Sequence, residues 1–203
     1  MKNFVLTLFA AAALIACKKT ETKSVNESTD EQIVSAPAES GITVTDSTKV
    51  SDTTATTNSL SDQDKKFADA AAKGGLMEVM MGQLAATNAT NAKVKALGEM
   101  MVKDHSKAND ELKKWAGTAG YTLPTGLDAD KQKEYDDLKA KKGAEFDKKY
   151  TDLMVSDHKK DVEEFKKQAS EGKEASLKSF ASKTLPTLEH HLMESEKAKN
   201  AVK

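Results

Sequence analysis

The chain has 203 residues, a formal net charge of −1 and a single cysteine. A near-neutral chain has no long-range field to select nucleic acid, and all 31 basic residues are lysine, so the bidentate arginine contacts that read phosphate and guanine are missing. One cysteine permits neither an internal disulfide nor a multi-thiolate metal centre, so stability must come from a packed core.

Lys2 is followed by an almost unbroken apolar run from Phe4 to Ala16, closed by Leu14-Ile15-Ala16-Cys17. The run is too short to span a bilayer comfortably as a mature helix. It resembles the lipobox of bacterial lipoprotein signals. That resemblance implies a signal peptide over 1–16, cleavage before Cys17, lipidation of Cys17, and a membrane partner held through the lipid anchor. Residues 17–60 are rich in Ser, Thr, Glu and Asp, and Ser51 to Ser59 is nearly all small or polar. Such a segment cannot bury enough surface to offset its ordering entropy, so it reads as a disordered tether with a reach of roughly 35 Å.

From Ser61 the pattern becomes helical. A first helix is predicted over about Asp62–Asn88, with Ser61 as N-cap and Phe67, Ala70, Gly74, Met77, Met81 and Leu84 on one stripe. A second runs over about Asn91–Ala119, stopped by Gly120, with Val94, Leu97, Met101, His105, Leu112 and Trp115 inward. A short helix follows over Asp128–Lys141, ended by Gly143. A third long helix covers about Ala144–Ser170, with Phe146, Tyr150, Met154, His158, Val162 and Phe165 inward. The last covers about Glu174–Val202, with Leu177, Phe180, Leu188, His191 and Ser195 inward, and Pro186 is expected to kink it. Four long amphipathic helices and no strand alternation give an all-α fold, a four-helix bundle over 61–203 with a short extra helix in its long central connection.

Met101-Val102-Lys103-Asp104-His105 recurs as Met154-Val155-Ser156-Asp157-His158, and nine of sixteen positions from Met101 are identical at an offset of 53. The repeat places a Met/His pair at mid-height on two helices. His191 falls at a similar height on the last helix, with Met77, Glu78 and Met81 near the middle of the first. Thioethers beside imidazoles suit Cu(I), and three histidines with Glu78 suit Zn(II). The competing reading makes the methionines core filler and gives each histidine a carboxylate partner such as Asp104 or Asp157. His190 is expected to face outward. Glu-x-x-His pairs are lacking, which argues against a di-iron centre. No nucleophile elbow or phosphate loop marks a catalytic residue.

Gly75-Leu76-Met77-Glu78, Met101-Val102-Lys103-Asp104-His105, Gly143-Ala144-Glu145-Phe146-Asp147-Lys148-Lys149-Tyr150 and Leu185-Pro186-Thr187-Leu188-Glu189-His190-His191-Leu192 together resemble the exported bacterial proteins of domain of unknown function 4142. The resemblance covers nearly all of residues 62–197. It implies a ferritin-like bundle and a cell-envelope location, usually the outer membrane, and it implies no established activity or cofactor. Two functional readings follow. The first is a lipid-anchored, non-catalytic binding or stress-related accessory module. The second is a periplasmic copper, silver or zinc binding protein using His105, His158, His191, Met101 and Met154. An enzyme acting through the same metal is a more remote third.

Overall fold

A computed structural model describes residues 60–203. The predicted signal, Cys17 and the predicted tether up to residue 59 lie outside the described residues. Five helices follow in order: α1 Asp62–Asn88, α2 Ala92–Ala119, α3 Ala129–Lys139, α4 Gly143–Glu171 and α5 Ala175–Asn200. Side-chain caps fix the starts of α1, α2, α3 and α5. Ser61 Oγ accepts from the Asp64 amide at 3.1 Å, Asn91 Oδ1 from Lys93 at 2.9 Å, and Asp128 Oδ1 from Lys131 at 3.1 Å. Gly120 closes α2 in the left-handed conformation at φ 62°, where a side chain would be strained. Gly143, expected to end the short helix, instead opens α4 with φ 60°; α3 stops earlier, at Lys139. α5 continues as helix through Pro186.

The helices pack α1 on α2, α4 on α5, α1 on α4 and α2 on α5, with α3 laid against α1 and α4. Ends that meet show the direction of each helix. At one end Asp147, near the start of α4, accepts from the amides of Thr90 (3.1 Å) and Asn91 (2.9 Å) in the α1–α2 loop. At the other end Asp64, near the start of α1, accepts from Gln168 Nε2 at 2.7 Å and the Lys173 amide at 3.2 Å. Trp115 Nε1 donates there to Glu174 at 3.1 Å. Hence α2 and α4 run in the same direction across the bundle diagonal, and the segment carrying α3 returns the chain along its length. One long crossover of this kind is the ferritin-like arrangement. α1 and α2 approach closely at glycines: a Cβ on Gly98 would lie 2.5 Å from Ala85 Cβ and 2.8 Å from Gly82 O.

The core divides into two apolar clusters. Toward the Asp147 end, Met77, Met81, Met101 and Met154 pack with Leu97, Phe146 and Tyr150. Toward the Asp64 end, Phe67, Phe165 and Phe180 form edge-on and tilted contacts with Leu112, Trp115 and Leu188 around them. Flexible thioethers fill the first and rigid rings the second. The polar layer between them holds the candidate site. Among the described residues no helix is long and apolar enough to cross a membrane.

Candidate metal centre

His105 on α2, His158 on α4 and His191 on α5 are all buried and turn their rings toward one point. His105 Nε2 lies 3.4 Å from His158 Nε2, which lies 3.3 Å from His191 Nδ1, and one nitrogen from each residue falls within 4.8 Å of the others. The parallel course of α2 and α4 sets the repeated histidines at equal height. α5 completes the group from the opposite direction. His190, one residue from His191, is exposed as expected.

The far side of two rings is tied down. His158 Nδ1 donates to the Met154 carbonyl at 2.9 Å, and His191 Nε2 donates to Asp104 Oδ2 at 3.0 Å. Those partners assign the tautomers: His158 Nε2 and His191 Nδ1 both carry lone pairs and face each other. Charge does not rescue the arrangement. Burial and then the two neighbouring imidazoles hold His105 well below the usual histidine range. Burial, then His191, brings His158 down to about 4. Burial also lowers His191, outweighing the opposite pull of Asp104. All three shifts favour the uncharged ring. His105 can donate one proton to His158, but no proton is left to separate His158 from His191.

A cation resolves that conflict. An ion with metal–nitrogen bonds of about 2.0–2.1 Å in tetrahedral geometry spaces adjacent ligand nitrogens by roughly 3.3–3.4 Å. Two of the three separations in the triad match that spacing, and the third lies within 4.8 Å. Asp104 behind His191 and the Met154 carbonyl behind His158 are the outer partners that orient metal-binding imidazoles and raise their basicity. The residues present therefore fit a metal ion.

The other predicted site residues are placed differently. Glu78 Oε1 is 3.9 Å from His158 Nδ1, behind the ring and away from the converging nitrogens. Burial, then Asp161 and Asp157, keeps Glu78 well above the usual carboxyl range, which favours the uncharged acid beside the imidazole. Its Oε2 is buried without a partner. Met101, Met154, Met77 and Met81 are buried in the first apolar cluster, and Met77 Sδ lies 3.9 Å from Lys131 Nζ of α3. Met154 enters the site through its carbonyl oxygen. Asp157, weighed as a histidine partner, lines a surface cleft with Glu78, Asp161 and Lys131. Asp161 is the group that repeat counting overlooks, since Ala108 stands at its equivalent. Its one sequence signal is a carboxylate three residues after an inward histidine. Burial, then Asp157 and Glu164, pushes it up to about 7.

A family model described as a domain of unknown function (DUF4142) matches residues 49–198. No curated protein matches the chain in sequence. Among solved structures, the DUF305 fragment from Deinococcus radiodurans is 10% identical, with a TM-score of 0.62 over 70% of this chain and 98% of that one. CopM in its Cu(II)-bound form is 14% identical, with a TM-score of 0.58 over 68% of this chain and 96% of that one. At these identities the likeness establishes the helical-bundle fold.

Proposed function

The chain belongs to that family of unknown function, and from this premise we propose that it is a metal-binding bundle taking one transition-metal ion on His105, His158 and His191. The observation that carries the reading is the convergence of three buried imidazoles, with His158 Nε2 lying 3.4 Å from His105 Nε2 and 3.3 Å from His191 Nδ1. Copper is the proposed ion and zinc the second choice. The converging atoms are all imidazole nitrogens, and such sites bind Cu(II) ahead of the other divalent first-row ions. Four buried methionines on the adjoining side suit Cu(I) in a reducing environment. The fold itself houses copper in CopM. Of the two sequence readings, the convergence of the rings favours metal binding over separate histidine–carboxylate pairs, which only His191 makes.

Metal analysis of protein purified without a histidine tag tests the proposal directly, and one copper or zinc per chain is the expected result. Cu(I), or Ag(I) as its mimic, should raise the melting temperature; a ligand specific to the folded state adds about 2.7 kcal/mol at a hundredfold excess over its Kd. A melt indifferent to copper, silver and zinc would overturn the reading. We further propose that the bundle works in the cell envelope on a lipid anchor at Cys17. Cys17→Ala should leave the protein unprocessed or move it to the soluble fraction, because each buried acyl methylene contributes about 0.8 kcal/mol to membrane binding.

A further inference from the structure

The histidines form one layer of the bundle, and the layers on either side of it differ. Toward the Asp147 end stand Met101 and Met154, each four residues before its histidine and fully buried. Toward the Asp64 end the packing is incomplete. His105 lines a cavity of about 20 Å³ there, together with Ala71 and Gly75 of α1, Asn109 of α2, Asp161 of α4 and Thr184 of α5. Asn109 is one turn beyond His105 and Asp161 one turn beyond His158, so the cavity adjoins the triad in the next layer. A single water needs ~10–15 Å³, so the space holds about one. Gly75 helps to keep its polar wall in place: a Cβ there would lie 2.1 Å from Asn109 Oδ1 and force the amide aside.

We propose that a metal ion on the triad keeps one coordination position open toward this cavity, where it takes a single outside ligand of one or two non-hydrogen atoms. The inference rests on the metal-binding reading above. Three protein ligands leave a tetrahedral ion one short. Among the described residues no further His, Cys, Asp or Glu joins the three nitrogens, since Glu78 and Asp104 both stand behind rings. Asn109, Asp161 and Thr184 offer hydrogen bonds to whatever occupies the position, and Ala71 limits its size. Water fits, as do diatomic ligands; a branched ligand does not.

Carbon monoxide is the probe. The full chain is loaded with Cu(I) to one ion per molecule, verified by metal analysis, then exposed to the gas and read by infrared spectroscopy. One C–O stretching band that moves with ¹³CO is expected, and tert-butyl isocyanide should not displace it. Ala71→Leu fills the cavity and should abolish the band with copper stoichiometry unchanged. Ala71→Val, a smaller addition, does the same test if the leucine variant fails to fold, with the band at least tenfold weaker at equal gas pressure. A fully loaded wild type without a band overturns the inference, because a fourth protein ligand then closes the site. A band that survives both fillings also overturns it, because the ligand then sits elsewhere. A wild type that takes up neither copper nor zinc is detected before any gas is added and overturns the metal-binding reading itself.

Discussion

The two copies of Met-Val-x-Asp-His share four residues and a helix face, yet their aspartates end in opposite situations. In the α2 copy Asp104 reaches across to α5 and accepts from His191 Nε2. In the α4 copy Asp157 points to a cleft shared with Glu78, Asp161 and Lys131, and burial followed by Glu134 raises it above the usual range. The neighbours make the difference. α5 stands beside α2 with a histidine at the right height, whereas α3 lies only over the α1–α4 side and brings Lys131 and Glu134 with it. The histidines diverge too: His158 is anchored by the Met154 carbonyl, while His105 faces the cavity. Matching short motifs thus supply one outer partner for a metal ligand and one member of a half-buried acid group lining a cleft.

The strongest way to break this asymmetry is at the histidines. His158→Ala should cost the metal-free protein about 2–4 kcal/mol, because it opens a cavity in the core and removes the ring's buried hydrogen bonds. His105→Ala should cost less, and denaturant titrations compare the two. Equal losses would mean that the anchored ring has no special structural part. At the aspartates the contrast should appear in affinity. Asp104→Asn is expected to weaken metal binding about 10–100-fold, while Asp157→Asn leaves it within a factor of about two, as read by competition with a chromophoric chelator. Equal effects would place both aspartates behind ligands.

The pH dependence of stability sharpens the same comparison. His158 titrates at about 4 in the folded protein against an ordinary 6.5, so the unfolded chain takes up the proton first and stability falls as the pH drops from 6.5 toward 4. Asp161 works in the opposite sense. Its folded value of about 7, against 3.8, means the native state holds the extra proton, and stability rises as the pH drops from 7 toward 4. The raised Glu78 adds to the acid-favouring side. His105 and His191, also lowered by burial, add to the histidine side, so opposed contributions overlap in the wild type. Asp161→Asn should expose the histidine contribution and make the metal-free protein lose stability more steeply on acidification. Chemical denaturation at pH 4.5, 5.5 and 7 checks this, and a profile parallel to wild type would refute it. The smallest effect concerns α3. Lys131 pulls both Asp157 and Asp161 downward, so Lys131→Ala should raise the titration midpoints of both by NMR and leave His158 nearly unmoved.

Much of this architecture is written locally. The bounds of α1 coincide with the predicted ones, because Ser61 caps its start and a single stripe carries its apolar residues. Gly120 at positive φ ends α2 where the glycine stands. The repeat announces that His105 and His158 are equivalent, and the 3.6-residue period puts His191 inward and His190 outward. The methionines were legible as inward residues, but their use was not, since a thioether fills a core and binds copper from the same helical position. Periodicity also passed over the inward-facing polar residues of α1, Asp64 and Asn88, because polar side chains are buried only where a partner from another helix satisfies them.

By itself, then, the sequence determined the helices, their inner faces and the candidate ligands, because caps, glycines and periodicity act over a few residues. Tertiary structure alone decided that three imidazoles meet with two lone pairs opposed, that Asp104 rather than Asp157 serves a histidine, and that Glu78 stands behind a ring. Those outcomes depend on the parallel course of α2 and α4 and on the side α3 covers. The height and facing of helices far apart in the chain are set by packing and by connection path, and no local pattern encodes either.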